Sequence, residues 1–584
     1  MRVEANKIKN LSIHLLAIAI ITVSCCIHIK IMNYIFVISD EFGYWAHAIS
    51  AVGYDWRELI SETSYYTWGY SIWLIPIIAI LPSPEAWYKA AICLNVLFLI
   101  LSYFLCYQSG RKLFRELDER LVALVSIIVI IYPSNIVYAE AAWTENLSYL
   151  LVWLVTYLII CLDEKFSNKY FICAALVLVY SYAVHNRNIG VVLAGMAALC
   201  LVLLKHKKRW LYFPVLCLIM LAGYEGVALV KNHQILSLWS NSKASDMNNV
   251  SLDVATITSY SSRLFEQTGD FLISLFGKYI YLLIGTGLTL PIVICKALKD
   301  VIKNVKDRKW WRDYQISRIW ILLVLIAMYG ICAIQMNLWE VRADFVVYAR
   351  YMENALGPAA FLAIMYYIVY NREARIGLLI SAVSLLVGIV PVYYWITHSA
   401  GGFNTICSPV VGGFFEAVRR NSRINELVLL AAALAIAFVV LFAMTYCERK
   451  ALVASIVLAG FGVAYCMLGY YGRQDLVGAR EIADGATVPL YNKIGGDLED
   501  NEIYYVKNNA VDSACMHPKY FQFLIPDRTI HVTAVEELEQ IPDENVIVLV
   551  EPADEETAGF FEGNADAELI DESWLFKAYV MEEK

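Results

Sequence analysis

The sequence predicts a polytopic α-helical membrane protein of about thirteen transmembrane helices with a small extracytoplasmic α/β domain at its C-terminus. Of its 584 residues, 59% are hydrophobic and only 17% are charged, which is more apolar surface than a soluble protein of this size could bury. Segments of roughly 16 to 25 mostly apolar residues recur as far as residue 470, and that length crosses a bilayer as a helix. Beyond residue 470 acidic residues dominate.

The predicted spans follow the apolar segments in chain order. A further hydrophobic segment, 68–81, is predicted as a helix packed at the outer surface, because counting it as a span would place the basic segment 111–120 outside. The first span is not a cleavable signal peptide, because it is long and no small-residue cleavage site follows it. The thirteen spans lie near residues 11–37, 87–107, 121–138, 146–162, 170–184, 189–204, 210–230, 272–295, 317–337, 351–370, 376–396, 425–446 and 451–470.

Short basic connections set the predicted orientation. The N-terminus and the loops 205–209, 296–312, 372–375 and 449–450 carry Lys and Arg and are therefore placed in the cytoplasm. Only the arginines of segment 419–423 fall outside. The long loops 38–86, 231–271 and 397–424 then form an outer working surface. We expect a multi-pass cell-membrane protein, with a bacterial plasma membrane favoured, its N-terminus inside and its C-terminal domain outside.

The chain divides at about residue 470. Residues 1–470 form the predicted transmembrane domain, and 471–584 the predicted soluble extracytoplasmic domain. From 474 to 584 there are 25 acids against seven Lys or Arg. Strand-like and helix-like stretches alternate there, including EIYYV, TIHV, VIVLV and WLFKAYV, which favours a small α/β domain with a partly parallel sheet. An accessory or substrate-holding role is the simplest interpretation.

The acid pair Asp40-Glu41 follows the first span directly. Ionisable residues at a membrane boundary are costly and are usually functional. A carboxylate facing a cleft can accept a proton from an acceptor group or hold a divalent cation. Tyr44 and His47 lie close by in sequence and are candidate substrate-binding residues. The alternative is an exposed acid pair that caps a surface helix.

Two more acids, Glu140 and Glu145, lie in a short turn that we place on the same outer side. Two acidic segments on one face could converge on one reacting centre. The alternative for Glu145 is local, since Thr144 could cap the next helix while Glu145 complements its dipole.

The segment YAVHNRNIG places His185 and Arg187 between two spans on the outer side. An outward arginine so near the bilayer needs an anionic partner, and its fork of donors suits a lipid phosphate. The alternative is a snorkelling arginine at a helix end.

The segment WEVRADFVVYARYMEN contains Arg342, Tyr348, Arg350 and Tyr351 before another span. A phosphate or pyrophosphate site would explain two outward arginines here. The alternative is local ion pairing, with Glu340 and Asp344 neutralising one of the arginines.

In the order of its motifs the chain resembles the C-type integral-membrane glycosyltransferases, a superfamily that includes protein O-mannosyltransferases, lipid A aminoarabinose transferases and oligosaccharyltransferases. The resemblance covers about residues 1–470. It rests on SDEFGYWAHA after the first span, the hydrophobic segment before the second span, YP…TENL in the second outer loop, HNR, and YARYMEN. No single motif is diagnostic; their order carries the resemblance.

The resemblance implies roles for individual residues. Asp40 would be the catalytic base or the metal-organising acid, with Glu41 beside it, and Glu145 would be the acid of the second loop. Arg187 and Arg350 would bind the carrier phosphate. The tail lacks the WWD signature of oligosaccharyltransferases, which disfavours transfer of a whole glycan to asparagine.

We therefore expect an inverting glycosyltransferase that uses a polyprenyl-phosphate-linked sugar as donor and a glycan, lipid or protein as acceptor. No cofactor is certain, and a divalent cation is an open alternative with no ligand set to name. No nucleic acid partner is expected. The main rival is a transporter or flippase of lipid-linked glycans, and the second is a membrane scaffold or sensor. Both are less favoured, because the charges gather at the outer ends of spans.

Overall fold

The structure is a computed structural model of the chain and describes residues 2–33, 35, 38–239, 262, 266–306, 314–336, 342–399, 401–447, 450–494, 501–508, 510, 515–541, 545–564 and 567–581. Helices dominate up to residue 494, and a small sheet follows. The helices of the first half are Arg2–Cys26, Ile38–Val52, Arg57–Ser61, Ser71–Ile80, Pro84–Leu113, Glu119–Ile130, Pro133–Ala139, Glu145–Glu164, Asn168–Val184, Ile189–Lys205 and Tyr212–Leu238.

The second half of the helical part continues in the same way. Its helices are Thr268–Gly285, Leu290–Lys306, Gln315–Gln335, Glu353–Val369, Asn371–His398, Pro409–Asn421, Glu426–Met444, Lys450–Gly472 and Gln474–Ile494.

Long apolar helices confirm the predicted membrane fold class. Within the described residues, nine helices are long and apolar enough to cross a membrane, and the bent pair Glu119–Ile130 and Pro133–Ala139 makes a tenth if it counts as one span. Several of their side chains point away from the protein, such as Leu236, which is 85% exposed, and Leu386, which is 81% exposed. Apolar side chains in such positions are suited to contact with lipid. The predicted number of thirteen spans stays a prediction.

Three helical segments differ from the predicted spans: one ends early, one bends and one is interrupted. The span predicted at 11–37 ends earlier, because its helix stops at Cys26. The span predicted at 121–138 bends by 58° before Pro133, where proline lacks the N–H that would continue the helix. The span predicted at 272–295 is interrupted after Gly285, because Gly287 and Leu288 adopt left-handed backbone conformations with φ of 54° and 67°.

The predicted surface segment 68–81 contains the helix Ser71–Ile80. Ten residues of α-helix extend about 15 Å, roughly half of a typical hydrocarbon core. The helix is therefore too short to cross the bilayer. Its residue Ser71 donates a hydrogen bond of 2.7 Å to the backbone oxygen of Tyr44, so the segment packs against the helix that carries Asp40.

The C-terminal sheet has five strands in the order β2-β1-β3-β5-β4. β1 is parallel to both β2 and β3, whereas β5 runs antiparallel to β3 and β4. All five residues of β3 are buried, as the continuous apolar run VIVLV requires for a strand covered on both faces. The sheet confirms a small, partly parallel α/β unit. The strands are β1 (Glu502–Lys507), β2 (Ile530–Ala534), β3 (Val546–Val550), β4 (Ala567–Glu572) and β5 (Lys577–Met581).

Two helices pack with the sheet, Met516–Leu524 between β1 and β2 and Glu555–Glu562 between β3 and β4. The sequence analysis did not identify β4. Three of the six residues in its sequence AELIDE are acidic, and only Asp571 is buried, so the segment lacks a clear apolar strand pattern.

The C-terminal domain contacts the helix Arg57–Ser61 and its flanks. Trp56 donates its indole N–H to the backbone oxygen of Pro526 at 3.0 Å. Glu58 accepts hydrogen bonds from His531 at 2.7 Å and from the backbone N–H of Val532 at 2.6 Å. Lys507, the last residue of β1, pairs with Glu62 at 2.5 Å. Polar contacts from β1 and β2 thus hold the domain against residues 56–62.

This contact is expected to depend on pH. The hydrogen bond that His531 donates to Glu58 raises the pKa of His531 above its ordinary value of 6.5. Burial opposes the shift at Glu58, but the hydrogen bonds that Glu58 accepts from His531 and Val532 lower its pKa below 4.5. A raised histidine pKa contributes stability that is complete below about pH 6.5 and is lost as pH rises through the folded value. For Glu58, the contribution is present above about pH 4.5 and is lost as pH falls through its lower folded pKa.

We therefore expect slower hydrogen–deuterium exchange in segments 57–61 and 530–534 at about pH 6 than at about pH 8.5, after correction for intrinsic exchange. The variant His531→Gln should remove most of that difference. A pH dependence that survives in His531→Gln would contradict this origin.

Candidate active site

Four charged residues from four separate segments lie in direct contact, and we call them the Asp40 cluster: Asp40, Glu145, Arg187 and Arg350. Arg350 donates from Nη2 to Asp40 Oδ2 at 2.6 Å and from Nε to Glu145 Oε1 at 2.6 Å. Arg187 donates from Nη2 to the same Glu145 oxygen at 2.7 Å. The cluster thus links two carboxylates through two guanidinium groups.

Helix ends bring the cluster together. Asp40 lies in the first turn of Ile38–Val52, and Glu145 is the first residue of Glu145–Glu164. Arg187 lies in a short 3-10 turn just before the helix Ile189–Lys205, and Arg350 lies just before Glu353–Val369. The positive end of a helix dipole attracts negative charge, and both acids lie at such an end.

The Asp40 side chain is more exposed to solvent than the side chains of its partners. The Asp40 side chain is 21% exposed, whereas the Glu145 side chain is 3% exposed and that of Arg187 only 1%. Buried charges are tolerated when they are paired and hydrogen-bonded. Glu145 and the two arginines are therefore the buried part of the cluster, and Asp40 is its accessible carboxylate.

Some buried polar atoms of the cluster have no hydrogen-bond partner among the described residues. Glu145 Oε2 and the Nε and Nη1 groups of Arg187 are buried and have no hydrogen-bond partner among the described residues. Buried polar atoms in folded proteins normally have partners, which can be water or ligand. Two guanidinium donors and one carboxylate oxygen are thus available to a bound molecule.

Aromatic side chains surround the charges. The Arg350 guanidinium lies 3.8 Å from the ring centre of Trp143, and that of Arg187 lies 4.4 Å from the ring centre of Tyr351. Tyr66 donates its hydroxyl to Asp40 Oδ1 at 2.7 Å. Stacked rings and hydrogen bonds of this kind hold the guanidinium planes and the Asp40 carboxylate in fixed orientations.

The candidate residues Tyr44, Tyr348 and Tyr351 also lie around the cluster. The buried ring of Tyr44 packs 5.3 Å from that of Tyr66, and Tyr348 packs 5.1 Å from Tyr351. Tyr351 contacts Arg187 directly and Tyr348 packs on Tyr351, whereas Tyr44 packs on Tyr66, whose hydroxyl donates to Asp40.

Glu41 and Glu140 lie in a second cluster, which we call the Glu140 cluster: Glu41, Tyr88, Glu140 and Arg473. The Tyr88 hydroxyl donates to Glu41 Oε1 at 2.6 Å and to the backbone oxygen of Glu140 at 3.2 Å. Arg473 donates to Glu140 Oε1 at 2.6 Å. Neighbouring residues of a helix point about 100° apart, so Asp40 and Glu41 face different partners. The structure therefore does not bring Glu41 or Glu140 to the Asp40 cluster.

Two more candidate residues, His47 and His185, make local contacts with the backbone. His47 Nε2 lies 2.7 Å from the backbone oxygen of Tyr66, and burial lowers the pKa of His47 to about 4. His185 accepts a hydrogen bond from the backbone N–H of Arg187 at 3.2 Å, so it shapes the turn that carries that arginine.

Arg342 Nη2 donates to Asp344 at 2.7 Å and lies 3.6 Å from Cys407 Sγ. The local ion pair that the sequence suggested for this segment is thus present between Arg342 and Asp344. Glu340, the other suggested partner, lies outside the described residues.

Sequence analysis did not single out Trp143, Arg473 or Glu353. The buried carboxylate of Glu353 accepts hydrogen bonds from Ser134, from Tyr138 at 2.8 Å and from Tyr281 at 2.5 Å. Its only sequence signal is an acid inside YARYMEN, three residues after Arg350. Arg473 had no local signal, because its partner Glu140 is 333 residues away in the chain.

The residues of the Asp40 cluster do not fit a metal site. Asp40 and Glu145 each already contact a guanidinium group at 2.6 Å, and a fixed positive charge repels a divalent cation. In the described part of the chain, no group of three His, Cys, Asp or Glu side chains could hold a metal ion.

Comparison with known proteins finds similarity in structure. No protein-family model matches the chain, and no curated protein sequence matches it. The crystal structure of ArnT from Cupriavidus metallidurans bound to undecaprenyl phosphate aligns with a TM-score of 0.55 at 12% identity, covering 97% of each chain. ArnT in the apo state aligns with a TM-score of 0.50 at 12% identity, covering 98% of each chain.

The Archaeoglobus fulgidus oligosaccharyltransferase in its apo form aligns with a TM-score of 0.43 at 12% identity, covering 94% of this chain and 70% of that one. The two ArnT alignments extend over nearly the whole length of both chains. At 12% identity they establish the architecture, and they include the C-terminal part that the sequence resemblance did not cover. The chain has the fold of the two ArnT structures.

Proposed function

We propose that the protein is a membrane glycosyltransferase that transfers a sugar from a polyprenyl-phosphate carrier to an extracytoplasmic acceptor, with inversion at the anomeric carbon. The observation that carries the proposal is the Asp40 cluster, in which one accessible carboxylate lies beside two guanidinium groups, one of which, Arg187, has unused donors. The ArnT structure that shares this fold was solved with undecaprenyl phosphate bound, which supports the class of carrier.

Asp40 is the proposed base. Its oxygens accept from Tyr66 and Arg350, and each carboxylate oxygen has a second lone pair for an acceptor hydroxyl. As the hydroxyl oxygen bonds to the anomeric carbon, the bond from that carbon to the phosphate oxygen breaks. The bonding electrons leave with the carrier phosphate, and the hydroxyl proton passes to Asp40.

Arg187 and Arg350 are the proposed phosphate-binding residues. The phosphate gains negative charge as the bond breaks, and preoriented donors stabilise that charge. Arg187 offers Nε and Nη1, and the ring of Tyr351 holds its plane. A fork of two N–H groups matches two phosphate oxygens.

The arrangement supports inversion. A retaining mechanism needs a second carboxylate that attacks the sugar. Glu145 is the other acid in the cluster, but it is buried, and its Oε1 accepts from both arginines. It is thus suited to orienting the arginines, and a single displacement by the acceptor inverts the anomeric carbon.

The direct test uses purified protein in nanodiscs with polyprenyl-phosphate-linked sugars and measures transfer to an added acceptor. The glycosyltransferase proposal expects sugar on the acceptor and free polyprenyl phosphate in equal amounts. Movement of an intact lipid-linked glycan across liposome membranes without any transfer would instead support a flippase.

Removing the Arg187 fork should weaken donor binding. We expect Arg187→Ala to raise the donor Kd more than Arg187→Lys, because lysine keeps the charge and loses only the paired donors. One lost charge-assisted hydrogen bond is worth about 1.5–3 kcal/mol, or roughly 10- to 150-fold in Kd. Calorimetry with a non-hydrolysable polyprenyl phosphonate measures it.

Arg342→Ala is the matched control, because Arg342 pairs locally with Asp344. Equal donor affinities for Arg187→Ala and Arg342→Ala would show that Arg187 does not bind the donor phosphate.

The proposed function places the Asp40 cluster and the C-terminal domain on the extracytoplasmic side. A reporter enzyme that is active only after export, fused after Lys584, should therefore be active. A fusion of the same reporter within the loop 205–209 should be inactive. Activity of a cytoplasm-only reporter after Lys584 would reverse the topology and remove the outward placement of the site.

A further inference from the structure

The strand order of the C-terminal sheet reverses between the parallel strands β1 and β3. The chain leaves β1 and forms β2 on one side of it, then returns to form β3 on the other side. In open sheets of this type, ligands bind in the crevice at the carboxyl ends of the strands beside such a reversal. Here that edge lies beyond Lys507 of β1 and Val550 of β3.

A fixed carboxylate lies at this edge. Glu551 follows β3 directly and is only 2% exposed. Its carboxylate accepts from the Tyr505 hydroxyl at 2.9 Å, and His517 Nδ1 lies 2.9 Å from both of its oxygens. The buried acid holds the imidazole of His517, whose side chain is 31% exposed. A half-exposed ring that is held from behind is suited to bind a polar ligand group.

An exposed indole lies next to this histidine. Trp574 is 52% exposed, and its ring centre lies 5.9 Å from that of His517 at an angle of 76°. The turn that carries it is rigid, because Ser573 Oγ accepts from the backbone N–H groups of Leu575 and Phe576 at 3.2 and 3.0 Å. A preoriented indole loses little entropy when a ligand stacks on it.

The charge of the domain narrows the class of ligand. Residues 474–584 carry 25 acids against seven Lys or Arg, so the domain repels anions such as phosphates, nucleic acids and acidic glycans. A neutral sugar has an apolar C–H face that stacks on an indole and hydroxyl groups that bond to imidazole and carboxylate.

We propose that the C-terminal domain binds a neutral saccharide on Trp574 and His517, with Glu551 holding the histidine, and that this saccharide is the acceptor of the transfer. The second part rests on the proposed function. Lys507 at the same edge pairs with Glu62, and four residues further along the chain Tyr66 donates to Asp40. The sheet edge with the proposed saccharide site is thus held against residues 62–66, which contact Asp40.

The binding test uses the full-length protein in nanodiscs without any donor. Calorimetric titration with cellotetraose, chitotetraose, maltotetraose and mannotetraose should reveal binding of at least one of them. Trp574→Ala should weaken that binding about tenfold or more, whereas Phe560→Ala should not change it. Phe560 is the matched control, since it is 48% exposed on a helix of the same domain.

Three outcomes overturn the site: no binding of any of the four neutral tetrasaccharides, equal binding by the two variants, or tighter binding of tetragalacturonate, an acidic tetrasaccharide. Thermal unfolding of each variant checks that the domain stays folded.

The acceptor role has its own measurement. In the transfer assay Trp574→Ala should raise KM for the bound tetrasaccharide and leave kcat unchanged, as expected for a contact made equally in ground and transition states. Binding without any transfer would reject the proposed function and keep the saccharide site. Transfer with an unchanged KM would reject the acceptor role alone.

Discussion

Replacing Asp40 by asparagine is expected to lower sugar transfer by about 10²- to 10⁴-fold, the usual contribution of a positioned general base. Asparagine has nearly the same shape, but it has no negative charge and cannot take up the acceptor proton. In the unchanged protein, Tyr66 and Arg350 donate to separate oxygens of Asp40. Asparagine has only one side-chain oxygen to accept these hydrogen bonds. The measurement is the initial rate of transfer by protein in nanodiscs at saturating donor.

Folding should hardly change in Asp40→Asn, because the side chain is 21% exposed and Arg350 keeps its bond to Glu145. Glu41→Gln is the matched control, since it makes the same chemical change one residue away in the Glu140 cluster. We expect it to lose less transfer activity. Near-normal turnover by well-folded Asp40→Asn would reject Asp40 as the base, even if the protein proved to transfer sugars.

Replacing Glu145 by glutamine should have the largest effect on stability. Glu145 is the carboxylate that Arg187 contacts, and it also bonds to Arg350. Removing one partner of a buried ion pair leaves an uncompensated charge and costs about 3–5 kcal/mol. Titration of the folded protein with sodium dodecyl sulfate in mixed micelles measures the change in free energy of unfolding.

Glu119→Gln is the control for this experiment. Glu119 pairs with Arg111 and its side chain is 41% exposed, so its loss should cost only about 0–1 kcal/mol. Adding Arg187→Met to Glu145→Gln should recover much of the stability, because the buried charge disappears, but it should not recover transfer. Equal stability of Glu145→Gln and Glu119→Gln would contradict the buried, paired state of Glu145.

Hydrophobic length and charge predicted much of this architecture. Helices must satisfy their backbone hydrogen bonds internally in lipid, so apolar segments such as 87–107 and 376–396 could be placed from sequence, and both became long helices. The α/β nature of the tail was also evident, because the apolar run of β3 is unmistakable. Strand β4 and the break at Gly287 were missed, since a polar edge strand and a single left-handed turn have weak local signals.

The sequence places many of its acids and arginines near the ends of apolar segments, because charges inside the hydrocarbon core are costly. It singled out Asp40, Glu145, Arg187 and Arg350, but each was argued from its own segment. Which acid faces which arginine was decided only by tertiary structure. Helical rotation separates Asp40 from Glu41, and packing across 310 residues of chain brings Arg350 to Asp40 while Arg473 reaches Glu140. Pairing over such distances depends on how the helices pack, which periodicity and local composition do not encode.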